Sequence, residues 1–359
     1  MISMDIAHHR LHNQRIAGEP FEKPEEAVNW LVAVQAQDYP AAQWALGLRS
    51  RDARDSDIEK AFTDGIILRT HVMRPTWHFV MPADIRWLLA LTAPRVNALN
   101  AHYYRKLELD DALLARSGDL IAKALQGGKQ LTRTELGAML GQAGIDTQDN
   151  LRLTYIVMHA ELAGIICSGA RRGKQFTYAL LDERAPGART LERDEALAEL
   201  TLRYFTGHAP ATLKDYVWWS GLATADAKAG LEMVKSQLIE EVVDGQTYWL
   251  AESAPFVRDP SPTAYLLPNF DEYSVGYADR SALYDTSLAE TPTLHANIVL
   301  GNTILMNGQI VGAWKRTFSK GSVVISAQTF TKLTEAESQA FATAAHRYGA
   351  FLGMPVILS

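Results

Sequence analysis

The stretch VQAQDYPAAQWALGLRS, Val34 to Ser50, places Gln35 and Gln37 one residue apart, just ahead of an acid, an aromatic and a proline. Two side-chain amides form a cluster of hydrogen-bond donors and acceptors without net charge. Such a pair can position a water and can line the path of a cationic transition state without neutralising it. It cannot serve as a strong base. Backbone geometry decides whether the two act together. On an extended segment side chains alternate, so Gln35 and Gln37 project to one side; on a helix they would stand roughly 200° apart. Tyr39 precedes Pro40, which disfavours helical backbone there and favours the extended case. A helix end decorated with polar residues is the other reading of the same spacing. Asp38 is a lesser candidate for a base, because on an extended segment its side chain points away from both amides.

Other candidates carry less. Asp271 and Glu272 are adjacent carboxylates in NFDEYSVGYADR. Neighbours on a strand point apart, so a salt bridge to Arg280 or a loop cap is expected rather than a shared proton. Ten histidines invite a metal, but His8 and His9 diverge on a helix, and His71 and His78 flank a turn without a third ligand. Catalytic zinc takes three protein ligands, so neither metal nor cofactor is expected. GxSxG, HExxH and GxGxxG are absent. GARRGKQ has one residue too few between its glycines for a phosphate loop, and Gln175 stands where Ser or Thr should bind magnesium. It reads as a hairpin tip, whose Arg171, Arg172 and Lys174 either touch phosphates or are merely solvated.

The elements that must position these residues recur in one order. A helix is expected over 5–16. Another opens at Pro24, with Ala27, Trp30, Leu31 and Val34 forming one apolar stripe. Pro40 opens the next, and SDIE, Ser56 to Glu59, reads as a capping box before a third. IILRTHVM and TWHFVM follow as a β-hairpin around Arg74-Pro75. A long helical region spans about 82–126. TRTE, Thr132 to Glu135, is a second capping box, followed by a helix over NLRLTYIVMHAELAG and two strands around the basic tip. A third copy runs through TLKDYVWWSGL and TADAKAGLEMV to a hairpin turning at Asp244-Gly245. Beyond residue 262 the texture is mostly β. Asn307-Gly308 marks a hairpin, and a last helix is expected over 334–352. Three helix-turn-helix-plus-wing units and a small β unit result, with expected domains 1–105, 106–190, 191–260 and 261–359.

Bulk properties bound the function class. At 359 residues the chain suits two or three structural units of about 100–200 each. A hydrophobic share of 47% is enough for a sizeable core. No apolar run approaches the ~20 residues that span a bilayer, and the N-terminus has no signal-peptide apolar region. The single cysteine, Cys167, excludes an internal disulfide and a cysteine zinc cluster, which fits a reducing, cytoplasmic setting. A net charge of −6 argues against an evenly basic surface for nucleic acid, though not against positive charge gathered on one face.

VQAQDYPAAQWALGLRS, LRTHVMRPTWHFV, PATLKDYVWWSGL, LLPNFDEYSVGYADRS and GQIVGAWKR, taken in order, resemble the bacterial winged-helix DNA-binding family that contains the AlkZ-like and YcaQ-like DNA glycosylases. The resemblance implies an α+β fold of three tandem winged helices with a C-terminal β-barrel. It also implies excision of alkylated purines, including N7-linked adducts and some interstrand crosslinks. The family's catalytic motif maps onto Gln35-Ala36-Gln37, so these two glutamines would position a water at the sugar. No lysine nucleophile is apparent, so excision without strand cleavage is expected. The implied partner is alkylated double-stranded DNA, met as a monomer in the cytoplasm at the nucleoid. Arg69, Arg74, Arg171, Arg172, Lys174, Lys315, Arg316 and Lys320 fall in expected wings and hairpins and are candidates for phosphate contacts. Thr70 and His71 are candidates for touching the lesion strand, with a purely structural hairpin role as the alternative. A winged-helix regulator, or a DNA-binding member without catalysis, is the competing function; a regulator would need recognition helices free to enter a major groove.

Overall fold

The computed structural model describes residues 4–251, 261–284 and 301–359. The chain is a mixed α/β protein with two compact, discontinuous units. One contains Met1–Glu59, Ala198–Trp219 and Ala227–Ser359; the other contains Lys60–Leu197 and Ser220–Asp226. The domain boundary expected at 260/261 touches residues outside the described ones.

In the first unit the helix Pro24–Leu31 begins with proline in its first turn and buries Ala27, Val28 and Leu31. Its end is abrupt. Val32 adopts φ 69°, ψ −50°, a conformation that β-branched residues avoid. That reversal swings the chain out of the helix and into the short strand Ala33–Gln35. The next helix, Tyr39–Gly47, is buried on nearly every face, as a helix apolar all round must be. Trp44 donates its indole N–H to the Leu266 carbonyl at 2.6 Å and packs against Tyr348 and Phe351, each ring 5.0 Å away. Gly47 is required here, because a Cβ would lie 2.6 Å from the Phe351 ring. Phe351 belongs to the helix Glu335–Leu352, whose N-terminus is a full capping box between Thr334 and Glu337.

The C-terminal strands form a five-stranded sheet. Ala264–Leu267, Thr303–Met306, Gln309–Ser319 and Ser322–Thr329 pair antiparallel, and Val356–Leu358 adds a parallel edge. Asn307-Gly308 makes the expected turn, both residues at positive φ. The sheet differs from the barrel implied by resemblance. Among the described residues it is open, with Ala264–Leu267 and Val356–Leu358 on opposite edges. A helical crossover carries the last strand to the far edge, where it pairs parallel.

The second unit holds the helices Ile85–Lys106, Asp111–Leu125, Arg133–Gln142 and Asn150–Leu162. The long helical region expected over 82–126 consists of two helices, since Asp110 caps a new one through the Leu113 N–H at 2.7 Å. A three-stranded sheet in the order Leu131–Thr132, Thr177–Leu180, Ile166–Ser168 covers them. Ile121, Leu125, Leu136, Leu140, Ile156 and Ile166 fill the core between. The capping box at Thr132 forms, with Thr132 and Glu135 each bonding the other's backbone N–H. The one expected at Ser56 does not. The helix starts at Asp55, two residues ahead of the start that a Ser56 cap would give, and Asp57 accepts the Arg54 N–H at 2.8 Å. Asp57 is itself an acceptor for the exposed N–H, so Ser56 is not needed as a cap.

Candidate active site

Gln35 ends its strand and is half-buried, Ala36 is fully buried, and Gln37 is exposed in the bend that follows. This is the alternation of an extended segment. The bend ends at Asp38, the N-cap of the helix Tyr39–Gly47, with φ −95° and ψ 101°. Asp38 accepts the Ala41 N–H at 3.1 Å and the Asn269 side-chain amide at 3.0 Å. Both of its oxygens are therefore engaged in holding the turn, which is a poor arrangement for a base.

Behind the motif lies a buried polar layer. Glu272, with no exposed surface, accepts the backbone N–H of Gln35 at 2.9 Å and the Trp219 indole N–H at 3.0 Å. His208 Nε2 lies 3.4 Å from the same carboxylate. Burial lowers the His208 pKa, opposed by Glu272, and its ring stacks on Tyr204 at 4.8 Å. Asp271 makes a two-pronged pair with Arg49, at 2.8 and 2.9 Å, and also caps its own short helix through the Tyr273 N–H. The cap was expected. The ion-pair partner was not: Arg49 takes the place of Arg280, whose Nε instead donates to the Ser274 carbonyl at 2.7 Å. Arg49 also donates to Gln14 Oε1 at 2.7 Å. Below it, Arg10 lies 3.6 Å over the Tyr277 ring and 3.5 Å from Asp215. Spacing could not reveal Arg10, Arg49, His208, Trp219, Asn269 or the role of Glu272, because partners that fix them lie far along the chain: 53 residues separate Trp219 from Glu272, and 237 separate Gln35 from Glu272.

The other expected site residues divide sharply. Arg69, Thr70 and His71 are buried on the strand Leu68–Val72, which is covered along its whole length. Arg69 is sandwiched at 4.3 Å from the Trp77 ring and 4.4 Å from Phe176. His71 Nδ1 lies 2.6 Å from the Glu161 carboxylate. This interior placement runs against direct contact with a DNA strand: the strand packs against Ile166–Ser168 and the helices Ile85–Lys106 and Asn150–Leu162, which leaves it no solvent face. Arg74 is half-buried at the head of the next strand. On the basic tip Arg171 is half-buried and Lys174 exposed. Arg172 is bound to Glu135 by two hydrogen bonds of 2.8 and 2.9 Å and to the Gln130 carbonyl. Arg172 thereby holds Glu135 down to about 2, with the Thr132 N–H assisting. In the C-terminal sheet Lys315 and Lys320 are exposed, and Arg316 bonds the Tyr348 hydroxyl. Cys167 is buried, and burial pushes its thiol to about 12, so it is no nucleophile. Among the described residues no three His, Cys, Asp or Glu side chains converge as a metal site, and no helix is long and apolar enough to cross a membrane.

The family model for DNA glycosylase AlkZ-like proteins matches residues 28–351, nearly the whole chain. The chain belongs to the AlkZ-like DNA glycosylase family. A similar curated protein, an interstrand DNA cross-link repair glycosylase of Streptomyces sahachiroi, is 25% identical over 320 residues, covering 84% of this chain and 85% of its own. The solved structure of the Streptomyces sahachiroi DNA glycosylase AlkZ matches with a TM-score of 0.78 at 19% identity, over 99% of this chain and 98% of that one. That likeness is one of fold. The activity class of an AlkZ-like member is DNA glycosylase.

Proposed function

We propose that this AlkZ-like protein hydrolyses the N-glycosidic bond of alkylated purines, of the N7-alkylguanine type and including the unhooking of crosslinks, with Gln35 and Gln37 positioning the attacking water. The observation that carries this reading is the alternation at the motif: Ala36 is buried between two more accessible glutamines, on a backbone held from behind. An N7-alkylated guanine already carries positive charge, so it departs without an acid. The sugar then becomes oxocarbenium-like, and a neutral pair of amides can align water without quenching that charge. Positioning of this kind can lower a barrier by several kcal/mol, on the order of 7 or more in the best cases. No lysine is assigned to attack the sugar, so the product is an intact abasic strand. The name of the Streptomyces relative supports extending the substrate to crosslinks.

The DNA is held as a duplex by a monomer. Its phosphates are engaged by Arg74, Arg171, Lys174, Lys315 and Arg316, which lie on hairpins. Arg172 and Arg69 keep the fold, as do Thr70 and His71. The order helix, strand, helix, helix, strand, strand over 111–180 supports a winged-helix unit there, and the two helices and hairpin over 213–250 support another. The test is release of 7-methylguanine from methylated duplex DNA by the purified protein. Gln35→Ala and Gln37→Ala should each slow release by about 100-fold without strand scission in any sample. No release by the unaltered protein, or undiminished release by both variants, would sink the proposal.

A further inference from the structure

One loop, Asn269–Glu272, reaches the glutamine motif at three successive places. Asn269 bonds Asp38, immediately after Gln37. Asp271 pairs with Arg49, which follows the helix that Asp38 caps. Glu272 accepts the N–H of Gln35 itself. Phe270, between them, is at φ 61°, a left-handed backbone unusual for an aromatic residue. Such strain persists only where the surroundings over-determine it, and here side chains on both sides of Phe270 are fixed. The motif carries matching strain at Val32, three residues ahead of Gln35. A strand entered through an unfavourable turn needs a strong tether, and a fully buried carboxylate is one. It has two oxygens that only accept; one takes the Gln35 N–H and the other the Trp219 indole, with His208 Nε2 3.4 Å from that second oxygen.

We propose that the Asn269–Glu272 loop is a clamp that positions the glutamine motif for base excision, with Glu272 as its central positioning residue acting through the Gln35 backbone. The inference rests on the two glutamines acting as proposed above. Glu272 is a tether and not a base: its named hydrogen bonds point to the protein interior, and it acts on the reaction by fixing where Gln35 and Gln37 stand. A displacement near 1 Å at such a site can cost about 100-fold in rate.

The experiment is single-turnover release of 7-methylguanine, with duplex affinity measured on the same DNA. Glu272→Gln leaves one acceptor oxygen for two donors, so it should slow release by about 10- to 100-fold while the Kd stays within about 2-fold. Trp219→Phe in that background removes the competing donor and frees the amide oxygen for Gln35, so the double variant should regain most of the rate. A Glu272→Gln rate equal to that of the unaltered protein, a loss that tracks Kd, or no recovery in the double variant overturns the clamp. Should Glu272→Gln fail to fold, Asn269→Ala, at a half-buried position, should still slow release with the Kd unchanged; an undiminished rate overturns the proposal. The Gln35 amide proton gives an answer independent of activity. In the clamp it is shifted downfield and protected from exchange, and exchange at the rate of an open loop overturns it. If the unaltered protein releases no base, the glycosylase reading fails while the amide proton still decides the clamp.

Discussion

In the stretch from Leu107 to Leu180, helices capped by their own neighbouring residues close on an aliphatic core drawn from the same stretch. Around Gln35, by contrast, the bonds that fix the motif span 237 residues to Glu272, 231 from Asp38 to Asn269, and 222 from Arg49 to Asp271. The first region is stabilised by burial of apolar area, which is non-directional and tolerates small shifts. The second is stabilised by directional charge-assisted bonds at buried and half-buried positions, which hold atoms to narrow positions and, where buried, are costly when half-broken. The contrast is one of construction: a self-contained aliphatic core in one region, and a long-range polar assembly around the glutamine motif in the other.

That comparison can be broken in graded ways. Arg49→Met should have the largest effect, about 3–5 kcal/mol of stability lost, because Asp271 is left as an uncompensated buried charge. Denaturant unfolding measures it, and adding Asp271→Leu should restore much of the loss; equal losses in single and double variants would show that the pair does not act as a unit. Next, Ile121→Ala in the aliphatic region should cost about 2–4 kcal/mol through its cavity, while base release per folded molecule stays unchanged. If release falls with it, the two regions are not separable. Thr132→Ala removes one half of a capping box and should cost about 1 kcal/mol, read as a small drop in the unfolding midpoint.

The smallest effect is electrostatic and at the surface. Glu135 is held near 2 by Arg172 and by Thr132, against an ordinary value of 4.5. Its folded pKa is depressed, so its contribution to stability is complete above 4.5 and is lost as pH falls through the folded value near 2. Arg172→Ala should raise the Glu135 titration midpoint toward the ordinary value, as followed by carboxyl NMR. An unmoved midpoint would mean that the guanidinium is free for a phosphate after all.

Much of the fold was legible where the signal is local. Pro24, the Thr132–Glu135 box, the Asn307-Gly308 and Asp244-Gly245 turns and the terminal helix are all recognisable because a few adjacent residues satisfy one another's backbone groups. For LRTHV the sequence left two roles open for Thr70 and His71, because the packing that buries the whole strand comes from Ile166–Ser168 and from helices elsewhere in the chain. Ser56 misled because Asp57, one residue away, is an equally good acceptor. At the candidate site, the extended run through Gln35 and Gln37 was readable from Tyr39-Pro40, but nothing near Asp271 in the sequence points to Arg49.

Residue order alone determined several local features: proline at helix starts, the Thr132–Glu135 capping box, the Asn307-Gly308 turn, and the family to which the blocks belong, whereas the left-handed turns at Val32 and Phe270 carry no such signal. Only the tertiary structure decided which charges meet. It buried Arg69 between two aromatic rings, bound Arg172 to Glu135, and brought Glu272 under Gln35. The reason is physical. Local conformation follows from sterics and hydrogen bonds over three or four residues, whereas a buried ion chooses its partner by closeness in space after the chain has closed.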